Sequence, residues 1–381
     1  MHGPGIDRSS RVSESLGASP TAGRTESCAG RSAVCRRAGL VVLGVAAFLS
    51  ATWVLAEVQG PLRAPSLRPQ LEAALADLDD YDAVVIGSSR VQRGVQPEVL
   101  DARLSEPGRP FRSFNLGVAG MKSFEADRVV SEVLAAGSSR LRVLLIEAPE
   151  WQVDAKPLHM FTARFTDWHD LPRTWLVLRS IWRSEVSLLR KIELSWMHVR
   201  LFFTRLSNYG SHERFGADSG WSRRVERMAD VQGYLPLEIR RGNAARRRAA
   251  FVADPSGYEE VVRRLRRRAT RGALSDPART RRYDRESLRE QIERIEKAGV
   301  TPVYLVPPRT VSTADFAAFA EEGLIPHLID LRDPLEYPEL FDVENRFDKE
   351  HMSIRGAREM SQAIAEQLEP VWTAVADEDR G

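Results

Sequence analysis

The sequence predicts an α/β fold built on a mostly parallel sheet, and three observations support this prediction. Short apolar runs of four to six residues alternate with segments of helical periodicity, as in successive strand–helix–strand units. The runs are continuously apolar, which is typical of strands covered on both faces. The chain has 381 residues, 43% of them hydrophobic, and is long enough to bury one large core or two modest ones.

Each predicted element has a local reason. The apolar runs predict strands at residues 83–86, 111–116, 143–146, 303–306 and 328–331. Helical periodicity predicts helices at residues 69–78, 97–104, 124–135, 285–298, 313–321 and 353–368. The first of these helices has Pro69 in its first turn, where the missing N–H is not needed. The helix at 285–298 places Leu288, Ile292 and Ile295 on one face, with charged residues on the other.

Residues 152–282 break this alternation and are interpreted as a largely helical, arginine-rich insertion in the α/β domain. Its part from 174 to 206 is aromatic and aliphatic with interspersed arginines, which predicts one long helix or two. A later stretch has apolar residues at helical spacing among many arginines, which predicts an amphipathic basic helix. Those apolar residues are Tyr258, Val261, Val262, Leu265 and Ala269.

The basic face of this insertion has three interpretations. It could bind anionic lipid headgroups or a polyanionic polymer. It could bind nucleic acid, but no aromatic-interleaved binding motif accompanies the arginines, so no nucleic-acid partner is expected. The plainest interpretation is a solvated helix face in a chain that uses Arg far more than Lys.

The amino-terminal region predicts a membrane anchor. Residues 1–37 are rich in Gly, Ser, Ala and Arg and are expected to be disordered. Residues 38–56 are free of charge, and as a helix they would span about 28 Å, close to the hydrocarbon thickness of a bilayer. Six arginines against three acids precede this segment, so the tail is expected in the cytoplasm and the rest of the chain outside it. A cleaved signal peptide ending near Ala56 is the alternative.

The expected organisation is then a transmembrane segment, a linker at 57–80, a main domain at 81–373 and a tail at 374–381. The only two cysteines, Cys28 and Cys35, lie in the amino-terminal tail, so the main domain has neither a disulfide nor a thiolate site. The seven histidines lack metal-binding spacings. We therefore expect no metal and no cofactor.

Two distant segments contain the chemistry of a serine nucleophile. Ser89 follows the first predicted strand, at the carboxyl edge of the sheet where ligands of open α/β folds bind. Asp348 and His351 are three residues apart, so both can face one side of a loop or helical turn. A hydroxyl, an imidazole base and a carboxylate that orients the imidazole are the parts of an acyl-transfer site. Glycines after the second strand, up to Gly120, let the backbone approach a substrate and offer an amide to an oxyanion.

These segments resemble blocks of the SGNH (GDSL-like) hydrolase superfamily. The similar blocks are Gly87-Ser88-Ser89, Asn115-x-Gly-x-x-Gly120, and Asp348-x-x-His351 with Gly356 beyond it. The resemblance covers about residues 81–148 and 284–370. It implies a flavodoxin-like fold, in which a parallel sheet lies between two helical layers.

The resemblance also implies roles for individual residues. Ser89 would be the nucleophile, His351 the base and Asp348 its partner. The backbone amides of Ser89 and Gly120 would stabilise the oxyanion.

Two departures from the family pattern stand out. Ser88 and Arg90 replace the Asp and Leu of the Gly-Asp-Ser-Leu block. The block after the third strand, where the family has Gly-x-Asn-Asp, is Glu147-Ala148-Pro149-Glu150-Trp151, so the Asn that donates to the oxyanion is missing. Loss of one such donor lowers the rate by roughly 10²–10³.

This replaced block is similar to a membrane-anchored subset of the superfamily. That subset includes the D-alanyl-lipoteichoic acid transfer proteins and, more loosely, the alginate-type O-acetyltransferases. The similarity implies an enzyme outside the cytoplasm that moves acyl groups on a cell-envelope polymer.

Five residues are candidate substrate contacts: Arg90, Asn115, Glu147, Glu150 and Trp151. Arg90 could instead form a surface salt bridge, and Trp151 could be a core or rim aromatic. His159 and His169 also follow the third strand, where solvated loop histidines are the more ordinary interpretation.

Three functional hypotheses follow. The first is a serine-dependent acyl esterase or O-acyltransferase acting on a cell-envelope glycan or polymer. The second, motivated by the replaced third block, is a catalytically impaired scaffold that assembles with an integral-membrane acyltransferase. The third is a lipase-like esterase that the apolar segment at 174–206 brings to the membrane.

Overall fold

The protein is described by a computed structural model that covers residues 36–48, 50–51, 54, 67–151, 153, 162–206 and 221–378. The chain forms two units, Met1–Leu55 and Ala56–Gly381. In the first, residues 36–48 are helical and exposed. Within the described residues, no helix is both long enough and apolar enough to cross a lipid bilayer. Parts of the predicted anchor at 38–56, and nearly all of the predicted disordered tail, lie outside the described residues.

The second unit contains a five-stranded parallel sheet, which confirms the predicted α/β class. Its strands are β1 Ala83–Gly87, β2 Ser113–Gly117, β3 Val143–Glu147, β4 Thr301–Val306 and β5 Leu328–Asp330. Their spatial order is β2-β1-β3-β4-β5, and every neighbouring pair is parallel. This is the order of doubly wound, flavodoxin-like sheets. The strand order reverses at β1 and β3, so a crevice is expected at their carboxyl ends.

Helices connect the strands and cover both faces of the sheet. They are α1 Arg68–Ala76, α2 Ser89–Gly94, α3 Pro97–Leu104, α4 Ser123–Ala136, α5 Ala163–Asp167, α6 Leu171–Arg183, α7 Leu188–Leu206, α8 Trp221–Asp230, α9 Asn243–Ala253, α10 Ser256–Ala269, α11 Pro277–Arg281, α12 Arg285–Lys297, α13 Phe316–Glu321 and α14 Ile354–Glu378. Short 3₁₀ turns lie at Leu78–Asp80, Pro338–Phe341 and Val343–Asn345. The predicted apolar helix at 174–206 is therefore a pair, α6 and α7.

Two hydrophobic cores lie on opposite faces of the sheet, because successive side chains of a strand point to opposite sides. In β1, Val84 and Ile86 join the core beneath α1, α4, α12 and α13. Val85 joins the other core, beneath α3, α10 and α14. The arrangement has three layers, with the sheet between two layers of helices.

Residues from the predicted insertion contribute to both layers. Tyr258, Val262 and Leu265 of α10 are buried in the second core, as the helical spacing predicted. The partly buried Met228 of α8 packs against the first core. Helices α6 and α7 instead pack around a third cluster that includes Phe124 of α4. The insertion is thus helical, and much of it packs onto the sheet domain.

Two predicted boundaries need correction. The segment at 57–80 was predicted as a linker, but Leu71 and Ala74 of α1 are fully buried, so residues from 67 onward belong to the packed domain. The tail was predicted to begin at 374, but α14 continues through Pro370 to Glu378. It continues because Trp372 and Ala376 are buried in the second core, where Trp372 lies edge-on to the ring of Phe111.

Candidate active site

The turn after β1 places Ser89 at the carboxyl edge of the sheet. Strand β1 ends at Gly87, and Ser89 is the first residue of α2. The hydroxyl of Ser88 caps this helix by accepting the Arg90 N–H at 3.3 Å. A Cβ atom on Gly87 would lie 2.4 Å from Val91 Cγ2 and 2.8 Å from Glu147 Oε2, so the turn needs glycine there. Ser89 itself is half-buried.

A second tight turn holds His351. Asp348 Oδ1 accepts the backbone N–H of Glu350 at 2.9 Å and that of His351 at 3.0 Å. The Phe347 N–H donates to the His351 carbonyl at 2.8 Å and closes the turn. Asp348 therefore shapes the loop as well as contacting the imidazole.

The two turns meet at the predicted nucleophile. His351 Nε2 lies 2.9 Å from Ser89 Oγ, and His351 Nδ1 lies 2.8 Å from Asp348 Oδ1. The tautomer that fits donates Nδ1–H to the carboxylate and leaves Nε2 to accept the serine proton. Burial raises the pKa of the Asp348 carboxyl, but the hydrogen bond and charge attraction of His351 and the two backbone N–H groups lower it to about 2. Asp348 is thus ionised at neutral pH and can fix the imidazole.

Arg247 of α9 also reaches this carboxylate. Its Nη2 lies 3.4 Å from Asp348 Oδ2, the oxygen that does not contact His351. The Arg247 guanidinium also lies over the Phe347 ring, 6.0 Å from the ring centroid. The sequence carries no signal for this contact, since nothing in the spacing relates the insertion to the last block.

Glu147 is the first residue of the block after the third strand, which differs from the family pattern described above. Its Oε2 accepts the Ser88 N–H at 2.6 Å, and its Oε1 accepts Arg90 Nε at 2.9 Å and Nη2 at 2.6 Å. Burial raises the pKa of this carboxyl, but the charge of Arg90 and the hydrogen bonds outweigh burial and lower it. The two predicted substrate contacts, Arg90 and Glu147, are therefore bonded to each other and to the nucleophile turn.

A polar pocket of about 200 Å³ adjoins this pair. Among its lining residues are Arg90, Lys122, Glu147, Glu150 and Arg309. Glu150, predicted to contact substrate, accepts Arg309 Nη1 at 3.0 Å and Arg279 Nη1 at 3.3 Å. Burial and the nearby charge of Arg90 lower the pKa of the Arg309 guanidinium. Sequence reasoning missed Arg309, although an arginine soon after the apolar strand β4 was a usable signal.

Trp151 lies apart from this pocket. Its ring packs on Phe124, with centroids 5.3 Å apart, next to the third hydrophobic cluster. It also lines a second cavity, of about 600 Å³, with Tyr283 and Arg282. Its contacts match the core or rim interpretation of this tryptophan.

Asn115 does not line the site. The residue is fully buried, and its Nδ2 donates to the carbonyls of Val91 at 2.9 Å and Val95 at 2.6 Å. Its Oδ1 accepts the Gly117 N–H at 2.9 Å. The prediction of a substrate contact by Asn115 is thus corrected: the side chain ties β2 to the helix that begins with the nucleophile.

The glycine loop after β2 lies beside the nucleophile turn. The Val118 N–H donates to the Gly87 carbonyl at 2.8 Å, which joins the ends of β1 and β2. Gly120 is exposed and has a φ of +75°, a left-handed conformation that favours glycine. The expected oxyanion amide is therefore on an exposed loop whose first residues bond to the end of β1.

His169 is buried, contrary to the interpretation as a solvated histidine. Its Nε2 lies 2.9 Å from His198 Nδ1, and its ring stacks on Trp168 at 3.7 Å. Burial and the neighbouring His198 lower the pKa of His169 well below its usual value. The contact between His169 and His198 supports the packing of α5 against α7. His159 lies outside the described residues.

Comparison of the chain with protein-family models and with curated proteins finds no match. What the site can do chemically therefore rests on its geometry. A hydroxyl within hydrogen-bond reach of an imidazole, itself bonded to an ionised carboxylate, is an arrangement suited to covalent acyl transfer.

Proposed function

We propose that the protein is a serine-dependent acyl esterase or O-acyltransferase. The observation that supports this best is the 2.9 Å contact between Ser89 Oγ and His351 Nε2, with Asp348 on the other ring nitrogen. Structural serines and histidines also form hydrogen bonds, but this pair stands at the carboxyl edge of β1, where doubly wound sheets bind ligands.

The reaction divides into two steps. In the first, Ser89 Oγ bonds to the acyl carbon while its proton passes to His351 Nε2. The bond from the acyl carbon to the leaving oxygen breaks, and His351 returns the proton to that oxygen. In the second, water or a sugar hydroxyl gives its proton to His351 and attacks the acyl carbon, and Ser89 leaves with the proton restored. Asp348 stabilises the imidazolium in both steps.

The oxyanion would receive the backbone N–H groups of Ser89 and Gly120. The third donor of the family pattern is absent, and Glu147 stands in its block. The salt bridge to Arg90 compensates the Glu147 charge, which would otherwise repel an oxyanion. We expect an enzyme slower by roughly 10²–10³ than one with a complete set of donors.

Membership of the SGNH superfamily is part of this proposal. The order of the three blocks supports it, as does the flavodoxin-like strand order. The apolar segment at 38–56 and its arginine-rich flank support a membrane-anchored domain outside the cytoplasm. A cell-envelope glycan or polymer is the proposed acceptor, and an integral-membrane acyltransferase is the proposed protein partner.

A fluorophosphonate probe and a chromogenic acetyl ester test the chemistry on the purified full chain. We expect the wild type to be labelled and to release acetate, and Ser89→Ala and His351→Ala to lose both activities. Ser88→Ala is the matched control, because the neighbouring hydroxyl caps α2 and interacts with Glu147, whereas the Ser89 hydroxyl contacts His351. Equal labelling and equal rates in wild type and Ser89→Ala would refute the proposal.

The scaffold alternative is favoured by the altered block after the third strand, which has no Asn to donate to an oxyanion and begins with Glu147, whose carboxylate accepts the Ser88 N–H. It predicts that cells carrying Ser89→Ala keep full function while Glu147→Arg, which disrupts the fold of the turn, loses it. Loss of cellular function in Ser89→Ala would exclude the scaffold.

A further inference from the structure

Helices α6 and α7 form a hairpin that carries two apolar surfaces. One is internal, with Val177, Ile181 and Leu194 buried against Phe124. The other is exposed to solvent. Its members are Leu171, Trp175, Trp182, Val186, Leu188, Leu189, Ile192, Trp196 and Phe203. We call these nine residues the outer stripe.

The outer stripe follows helical spacing. On α7, Leu189, Ile192 and Trp196 are three and four residues apart, which places them on one side of the helix. The exposure is large: 64% for Trp175, 67% for Trp196 and 78% for Leu189. Scattered exposed hydrophobic residues are ordinary, but nine of them on one helical hairpin, three of them tryptophans, mark an interaction surface.

The aliphatic residues of the outer stripe cluster at one end of the hairpin. The aliphatic residues Val186, Leu188 and Leu189 lie at or beside the turn that joins the helices. Trp175 lies seven residues before Trp182, and Trp196 lies seven residues after Leu189, about 10 Å along each helix. Trp182 lies beside the turn as well, while Trp175 and Trp196 are set back from it. Aliphatic side chains at a tip with tryptophans behind them suit a lipid interface, where tryptophan prefers the headgroup level.

The charge of the hairpin favours an anionic surface. Residues 171–206 contain seven basic and two acidic side chains. Arg183, Arg190 and Lys191 flank the tip. The side chains of Arg183 and Arg190 are 42% and 43% exposed and pair with Asp284 and Glu193, while Lys191 is half-buried. Each basic residue near an anionic membrane contributes about 1 kcal/mol of attraction.

The short segment between the proposed anchor and the packed domain limits how far the domain can lie from a membrane. The proposed anchor ends at residue 56, and the packed domain begins at about residue 67. Ten intervening residues span at most about 35 Å when fully extended. The domain is thus confined near the bilayer that holds the anchor.

We propose that the tip of the α6–α7 hairpin inserts into the interface of an anionic lipid bilayer and holds the domain against the membrane. This inference rests on the proposed membrane anchoring, but not on catalysis by Ser89. It assigns the hairpin a role in docking, distinct from the pocket that adjoins the nucleophile.

Site-directed spin labelling of the full chain in vesicles tests this docking. Cys28→Ser and Cys35→Ser remove the native thiols, and Leu189→Cys carries a single nitroxide. Val252→Cys is the matched control, since it is an exposed apolar residue on α9, at 50% exposure. Collision with oxygen, which concentrates in lipid, is compared with collision with a water-soluble nickel chelate in phosphatidylglycerol and in phosphatidylcholine vesicles.

In phosphatidylglycerol vesicles, we expect oxygen collisions at position 189 to exceed nickel collisions severalfold, with the control position remaining accessible to nickel. The excess should be smaller in phosphatidylcholine and should fall when Arg190→Gln and Lys191→Gln are added. Equal accessibility at the two positions would overturn the proposal. Protection of position 189 from both reagents, with broadening that disappears on dilution with unlabelled chain, would overturn it in favour of a second copy.

Hydrolysis of a soluble ester by the same samples separates this proposal from the proposed function. Leu188→Glu, added to the chain labelled at position 189, should release the tip from lipid while leaving that hydrolysis unchanged. Ser89→Ala should abolish hydrolysis while leaving the label in lipid. Retention of the label in lipid after Leu188→Glu would count against the docking surface.

Discussion

Glu147 Oε1 accepts two hydrogen bonds from the Arg90 guanidinium, at 2.9 Å from Nε and 2.6 Å from Nη2. Arg90 lies in the first turn of α2, just after β1, and Glu147 ends the neighbouring strand β3, where the carboxylate also accepts the Ser88 N–H. The Glu147 carboxylate therefore braces the turn that carries the proposed nucleophile. Positioning of reacting groups depends on such bracing, since a misplacement of about 1 Å can lower a rate by about 10²-fold.

Glu147→Gln is expected to lower kcat on an acetyl ester by about tenfold or more, because the turn loses its charged brace. It should also lower the free energy of unfolding by about 1–3 kcal/mol, since the half-buried Arg90 loses its charged partner. Steady-state kinetics and urea unfolding measure the two effects. Glu150→Gln is the matched control, because Glu150 contacts Arg309 and Arg279 instead of the turn. A larger loss of kcat in the control would contradict this assignment.

Asn115→Ala is expected to destabilise the fold by about 2–3 kcal/mol, because the carbonyls of Val91 and Val95 lose their buried donor. Asn115→Asp should be worse, since a carboxylate oxygen would then face those carbonyls. Urea unfolding of the two variants measures the order. If Asn115→Ala raised KM without changing stability, the residue would contact substrate after all.

The strands and the order of the proposed catalytic residues could be predicted from the sequence because both depend on local patterns. A run such as Val84-Val85-Ile86 is apolar whatever packs on it, and a serine placed after it must lie at the sheet edge. The spacing of Asp348 and His351 likewise allows them to share one turn before any long-range contact is known.

Features that depend on distant partners could not be predicted in this way. Arg247 reaches Asp348 from a helix about a hundred residues away, and no sequence spacing specifies that approach. His169 is polar and follows a loop, yet a second histidine and a tryptophan bury it. Proline normally ends a helix, but α14 continues past Pro370 because the burial of Trp372 favours it. In each case tertiary packing overrides the local pattern.

Gly356→Ala is expected to destabilise the protein strongly, by about 3 kcal/mol or more. A Cβ atom at this position would lie 1.8 Å from the backbone oxygen of Asn345, so α14 or the loop before it must move. That loop carries His351, and we expect the displacement to reduce fluorophosphonate labelling of Ser89 as well. Gly299→Ala is a contrasting variant, because its site has open space but a φ of +74°. It should lose stability through backbone strain while keeping its labelling rate at temperatures where it remains folded.

Asp348→Asn is expected to weaken the pH dependence of the free energy of unfolding between pH 2 and pH 5. The pKa of Asp348 is lowered to about 2 in the folded chain, from an ordinary value near 3.8. Because the folded-state pKa is the lower one, the ionised carboxylate stabilises the fold above about pH 4, and that contribution disappears as the pH falls towards 2. Its size is about 2 kcal/mol, at 1.36 kcal/mol for each pKa unit.

Urea unfolding of wild type and variant between pH 2 and pH 5 should therefore show curves that differ most at pH 5 and converge at pH 2. Asp77→Asn, at the exposed end of α1, is the control and should follow the wild-type dependence. A constant difference between wild type and Asp348→Asn across this range would mean that the carboxylate gains nothing from His351 and the surrounding N–H groups.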